Sequence, residues 1–258
     1  MKRIIKTELL KLKRYHILWT GVALMLLSVI LTLFTTLAED GTVWTYAFLS
    51  EQVVKNNMTM IFPMCITLIA GYIVNREIKD DTLKNIYVVP ISFCQLLTGK
   101  LIIVGLLSII LGAVCAVFTI LGCFIAKISG FSIILAAQSF FQQMTVNLFL
   151  YIAVLPIIIA TSRSQNGFLA GVIVAFVYGY GGMFAAGNDI LVQIYPITAS
   201  LGMAGYRNYE VNWNMPLCCA SMAVTIFVSI IMILSMRKNM DKPKCKKIKS
   251  NSSLKKGW

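Results

Sequence analysis

LIIVGLLSIILGAVCAVFTILGCFIA, residues 101–126, runs for 26 positions between Lys100 and Lys127 without one Asp, Glu, Lys or Arg. An α-helix rises 1.5 Å per residue, so about 20 apolar residues cross a hydrocarbon core roughly 30 Å thick. The stretch exceeds that length and reads as a membrane span. Three more stretches, 17–37, 167–186 and 217–236, meet the same requirement and carry no charge. Two are weaker: 58–74 is short and contains Pro63, and 145–160 carries Asn147 and Pro156. Each is expected to borrow a turn or two from its polar side, giving spans at 54–75 and 143–161.

Six spans divide the 23 lysines and arginines into alternating sets. Twenty lie before the first span, in 75–100, in 161–166 and in the tail from Arg237, whereas Lys55, Lys127 and Arg207 alone fall on the other set. Lys and Arg are retained on the cytoplasmic side. The expected fold is therefore an all-α polytopic membrane protein with six transmembrane helices and both termini cytoplasmic. Residues 1–16 form an amphipathic cytoplasmic helix, 17–236 the six-span domain and 237–258 a basic cytoplasmic tail.

Composition points the same way. With 58% hydrophobic and 13% charged residues and a mean hydropathy of +0.80, the chain is far more apolar than a globular domain. Its longest polar stretches, about 25 to 30 residues, are too short to bury an independent core. The net charge of +13 is dispersed over helix flanks, where anionic lipid headgroups, not nucleic acid, are the natural partner. The densest basic run, 242–249, is either a positive-inside anchor or a specific lipid or protein site. Residues 2–14 with 36–38 imitate a signal peptide, but the apolar run of 21 residues is longer than an h-region of roughly 7 to 15. The seven cysteines avoid the outer loops and match no zinc spacing, which leaves neither a disulfide framework nor a metal site to expect. Asn57-Met58-Thr59 is a glycosylation sequon in form only.

A membrane enzyme needs acid, base, nucleophile or metal ligands converging at one depth. Here His16 is the single histidine, and no Gly-x-x-x-x-Gly-Lys phosphate loop occurs, so no catalytic residue, metal site or cofactor is expected in this chain. Gly179-Tyr180-Gly181-Gly182 lies inside a span and reads as a packing feature. The spans also lack the central ionisable groups of proton- or sodium-coupled carriers. Any energy for transport comes from elsewhere.

The segment from Arg76-Glu77 through Thr82-Leu83-Lys84 to Pro90-Ile91-Ser92 reads as two helices with a corner. Pro90 ends the first, because the residue before proline avoids the helical region. Ser92 and Gln95 form a capping box that starts the second. Leu83, Ile86 and Tyr87 recur at three and four residues and form an apolar stripe. That stripe suits either an interfacial helix on lipid or a ridge presented to the groove of a soluble partner.

Those residues resemble a known family. Glu8-Leu9-Leu10-Lys11-Leu12-Lys13-Arg14 looks like the amphipathic N-terminal helix of bacterial ABC-2 type permeases. Arg76-Glu77, Thr82-Leu83, Pro90-Ile91-Ser92 and Lys100 resemble that family's motif between its second and third spans, with Asp81 where the family often has Gly. The chain looks most like the small permeases of bacteriocin-immunity and bacitracin-type resistance transporters. The resemblance implies a multi-pass protein of the bacterial cell membrane whose coupling helix, with Arg76, Glu77, Thr82, Leu83, Ile86, Tyr87 and Pro90, docks in a P-loop ATPase subunit. It implies two such subunits per complex, ATP and Mg bound to them and not to this chain, and a second permease, identical or sister, across the pathway. Glu8, Leu9, Leu12 and Arg14 would touch lipid and the ATPase. Short re-entrant helices would lie between spans five and six.

Two further features come from the residues themselves. Gly167, Gly171, Ala175 and Gly179 recur every four positions and form a ridge of the small-xxx-small kind, which serves packing within the subunit or between halves. Tyr195, Pro196, Tyr206 and Trp213 suit short helices at the outer interface and are expected to form an outer gate. The N-terminal helix places Ile5, Leu9, Leu12 and His16 on one face and Lys2, Arg3, Lys6 and Lys13 around the other. The function expected is a permease subunit exporting antimicrobial peptide or another lipid-like compound. A sensing or structural membrane partner is the alternative.

Overall fold

The computed structural model describes residues 2–12, 16–37, 43–79, 93–162, 167–206 and 211–240. Among them no strand forms, and a single parallel bridge joins Thr45 to Ser129. In chain order the helices are α1 (Lys2–Leu12), α2 (Ile17–Thr35), α3 (Tyr46–Asn56), a π-helical turn (Asn57–Ile61), α4 (Phe62–Lys79), α5 (Phe93–Ile125), α6 (Ile133–Thr161), α7 (Gly167–Ala185), α8 (Leu191–Ile194), α9 (Pro196–Met203) and α10 (Met215–Met240).

Five helical stretches are long and apolar enough to cross a membrane: Ile17–Thr35, Tyr46–Arg76, Cys94–Ile125, Ile133–Thr161 and Met215–Ser235. The apolar part of α7, Leu169–Ala185, is shorter. The two weak spans of the sequence are long helices here. Hydropathy alone starts them at 54 and 143, whereas α3 begins at Tyr46 and α6 at Ile133. Both extensions hold polar residues that face protein: Ser50 is buried in α3, and Ser139 in α6 accepts from or donates to the Tyr46 hydroxyl at 2.5 Å. A hydropathy window scores such residues against a span although their partners are satisfied within the bundle.

The stretch Tyr46–Arg76 is the central pillar, with 78% of its membrane-length portion buried, against 28% for α2 and 22% for α10. It packs on α7, α6, α2 and α5. The core runs along it through Val53, Phe62, Ile66, Ile69 and Ile73, meeting Met25 of α2, Leu111 of α5 and Leu150 of α6. Pro63 removes the donor that would have bonded the Thr59 carbonyl four residues earlier. The π-helical turn lies directly before it, which is where a helix adjusts to such a break.

The heaviest interhelical seam joins α5 to α6. A Cβ on Gly112 would stand 2.8 Å from both the Gln143 carbonyl oxygen and the Met144 Cα. These are backbone atoms that cannot rotate away, so the two helices touch only because position 112 has no side chain. Gln143 also donates to the Thr119 hydroxyl at 3.3 Å, and the Tyr151 hydroxyl donates to the Leu101 carbonyl at 2.7 Å. Gly112→Ala is expected to cost about 1–3 kcal/mol by forcing the seam apart. The check is the thermal midpoint of the purified protein in mild detergent, and an unchanged midpoint would contradict this packing.

Candidate functional site

The end of the bundle that carries α1 is organised by one ammonium group. Lys100 lies in the second and third turns of α5 and is 2% exposed. Its Nζ donates to the Ile73 carbonyl of α4 at 2.7 Å and stands 3.6 Å from Glu8 Oε2 of α1. Glu8 is itself buried, and its other oxygen receives Lys11 at 2.7 Å. Buried charges persist only when paired and hydrogen-bonded. The pair therefore fixes α1 against α5 and both against the last turns of α4.

The buried face of α1 is not the one expected. Leu12 is in the core and Ile5 packs on it, but Leu9 and Leu10 are exposed and so is His16. Glu8 takes the inward place between Ile5 and Leu12. Periodicity of apolar residues alone cannot find this, because a carboxylate counts as polar until its partner 92 positions away is known. Exposed Leu9 and Leu10 beside a basic helix suit the membrane interface. Arg14 lies outside the described residues.

Of the coupling residues, Arg76 donates to the Tyr72 hydroxyl at 3.2 Å and stands over its ring. Glu77 is in the last turn of α4. Thr82, Leu83, Ile86, Tyr87 and Pro90 lie outside the described residues. The stretch 80–92 leaves α4 six residues after the Ile73 carbonyl and enters α5 seven residues before Lys100. Asn75, in the same turns of α4, is buried, and its carboxamide makes no hydrogen bond among the described residues.

The small-residue ridge of α7 faces this chain's own helices. A Cβ on Gly171 would meet the Thr161 side chain of α6 at 2.6 Å, and one on Gly179 the Thr59 carbonyl at 2.6 Å. Ala175 between them is fully buried, and Gly167 opens the helix. Gly179 thus lies against the carbonyl that Pro63 left without its helical donor. The opposite face of α7, with Ile173, Val177 and Phe184, is exposed.

At the other end, α8 and α9 fold back between α7 and α10. Asn188 caps α8 by accepting from the amides of Ile190 and Leu191. Tyr195 is extended, and Pro196 occupies the first turn of α9, where its missing N–H is harmless. The Tyr195 hydroxyl donates to the Tyr178 carbonyl at 2.6 Å. At the far end of α9, Trp213 donates to the Tyr206 carbonyl at 3.1 Å and stacks flush on Gly202, while Tyr206 reaches the Glu51 carbonyl at 3.4 Å. The four expected gate residues therefore anchor the two ends of a buried helix and do not meet at one point. Burial pushes the Tyr195 and Tyr206 phenols above their ordinary range, and the nearby Glu51 adds to the shift at Tyr206.

Sequence reasoning passed over one polar contact in the middle. Asn57 donates to the Asn147 carboxamide at 2.9 Å, both buried. Their occurrence in the two weakest spans was the available signal.

The family model of the ABC-2 family transporter proteins matches residues 4–182, which takes in α1, the ion pair, the central pillar and the α7 ridge. The chain belongs to this family. It is also 30% identical over 99 residues to the bacitracin transport permease protein BCRB of Bacillus licheniformis. That match covers 38% of this chain and 48% of the relative, so the chain spans about half the length of the curated relative it matches. No solved structure matches it.

Two outcomes follow from this geometry. Glu8→Ala removes a carboxylate from beside the buried Lys100 and is expected to lower stability by about 3–5 kcal/mol. Adding Lys100→Met should return most of that loss, and thermal unfolding of the single and double variants in nanodiscs measures it; strictly additive losses would show the pair to be uncoupled. Gly179→Ala is expected to lower the thermal midpoint of the isolated chain itself, because its clash is internal. A normal midpoint with altered association between copies would move the ridge to an intersubunit role.

Proposed function

We propose that this chain is the membrane subunit of an ATP-driven exporter. Six spans, with α7 as the fifth, hold both termini in the cytoplasm. Two P-loop ATPase subunits supply ATP hydrolysis, with ATP and Mg bound there, and a second permease, identical or sister, completes the pathway. The protein lies in the bacterial cytoplasmic membrane. Its cargo is an amphipathic antimicrobial peptide, drawn from the membrane in self-protection or resistance.

The observation that carries this reading is the ion pair of Glu8 and Lys100 at the root of the segment 80–92. An ATPase can work on a membrane domain only through elements that move as a unit. Lys100 ties α1, the end of α4 and the start of α5 together at the two points where that segment leaves and returns. A push on Leu83, Ile86 or Tyr87 would then reach three helices at once. Family membership supports the transport role, and the bacitracin permease relative supports the class of cargo.

Affinity purification of the tagged chain from its native membrane in mild detergent tests the reading. A P-loop ATPase recovered in near-equal amount is the expected result, and Leu83→Asp should abolish that recovery and cargo-stimulated turnover without reducing membrane insertion. Purification of the chain alone, under conditions that hold a known transporter together, would replace transport with sensing or scaffolding.

A further inference from the structure

Sulfur gathers at the end of the bundle opposite Lys100, where α9 stops and α10 starts. Met215, Cys219 and Met222 follow one another on α10 at four and three residues and share one of its faces. Cys218 stands beside them, and Met203 is the last residue of α9.

Two of these sulfurs meet across the helices. The Cys219 thiol donates to Met203 Sδ at 3.3 Å. Cys218 is buried on the neighbouring face, and its Sγ lies so close over Gly202 that a Cβ there would stand 2.8 Å from it. The adjacent cysteines of α10 thus straddle the end of α9, one against Gly202 and one against Met203. Cys219 is an exposed free thiol, and Met203 is half-buried, so the contact can be reached from outside.

A thiol is a weak donor and a thioether a weak acceptor, so this is a poor hydrogen bond. The same two atoms are good ligands for a soft metal ion, because thiolate and thioether together select Cu(I). Metal–thiolate bonds are roughly 2.3 Å, so two sulfurs on one ion stand at most about 4.6 Å apart, and this pair is already inside that range. Zinc is a poorer match, since it takes four ligands from thiolate, imidazole and carboxylate. The one histidine, His16, lies at the far end of α2.

We propose that Cys219 and Met203 bind one Cu(I) ion between α10 and α9. The ion takes the place of the thiol proton: the S–H bond breaks, the proton leaves to water, and the thiolate and the thioether each give the ion a lone pair. One monovalent cation replaces another, so the site gains no net charge, which suits the edge of an apolar bundle. No electron is transferred. Cysteine spacing alone does not reveal such a site, because the second ligand is a methionine on another helix. The inference concerns metal binding, needs no ATPase and stands apart from the transport reading.

The probe is Cu(I) itself, added without oxygen to the full chain in phosphatidylcholine nanodiscs, with bicinchoninate as the competing chelator. Cys94 and Cys245 are replaced by Ser throughout to lower the background from other thiols. The expected result is one copper retained and one proton released per chain, with X-ray absorption at the copper edge showing sulfur neighbours. Cys219→Ser should abolish retention. Met203→Leu, close in volume, should elute as the parent does and weaken binding about tenfold or more, since a direct ligand counts for at least what an outer partner does. Zn(II) in equal amount should not displace the copper. Retention untouched by Met203→Leu would mean an exposed thiol acting alone and overturns the proposal, as does a copper edge with oxygen or nitrogen neighbours only, or copper that Cys219→Ser still holds.

Discussion

A single buried ammonium sets the geometry of the basic end. Removing Lys100 from water is costly, and the cost is met only if its carbonyl and carboxylate partners stay in place. One of them, the Ile73 carbonyl, belongs to a helix that arrives at this end, and Lys100 to one that departs from it. Another, Glu8, belongs to α1, where Lys11 also holds it at 2.7 Å. The same charge therefore holds α1 down and keeps the exits of α4 and α5 in register.

Away from this end the constraint changes. Lipid offers no hydrophobic drive for helices to associate, so close approach and polar contacts must hold them. Gly112 lets α5 and α6 touch through backbone, Gly179 does so for α7 on the pillar, and Gly171 admits the Thr161 side chain of α6 against α7. The polar contacts sit on the same seams: Gln143 with Thr119, Tyr151 with the Leu101 carbonyl, Asn57 with Asn147. The outer faces of α2 and α10 remain apolar and exposed.

Of the uncharged runs, 17–37, 101–126 and 217–236 were legible as helices of membrane-crossing length, whereas 167–186 forms a shorter apolar helix. The gate segment was legible in outline: Pro196 and the aromatics announced short helices, and α8 and α9 are there. Two kinds of feature were not legible. Helix beginnings at Tyr46 and Ile133 escaped because Ser50, Ser139 and Gln143 count as polar by composition and are buried by contact. The inward turn of Glu8 escaped because its partner is distant in sequence, and local periodicity favoured Leu9. Both failures share a cause: pattern reasoning scores a residue by its chemistry, and the fold scores it by whether that chemistry is satisfied. The ridge at Gly171, Ala175 and Gly179 was visible as a ridge, but spacing cannot say which helix lies against it.

The two ends are joined by one element. From Tyr46 to Lys79 the chain is helical throughout, about 50 Å at 1.5 Å per residue. Glu51 at its start borders a cavity of about 420 Å³ between α3 and α6, and the Ile73 carbonyl near its end accepts from the ammonium of Lys100. Its one irregularity is the π-helical turn, which lies between them and carries Asn57, paired to Asn147, and the Thr59 carbonyl covered by Gly179. A straight helix would pass displacement from end to end unchanged. A helix with a π-helical turn and a proline at its midpoint has a place to bend, and α6 and α7 both grip that place. Displacement at Lys100 can pass along this helix through the π turn, which Asn147 of α6 and Gly179 of α7 grip, and across the seam of α5 with α6.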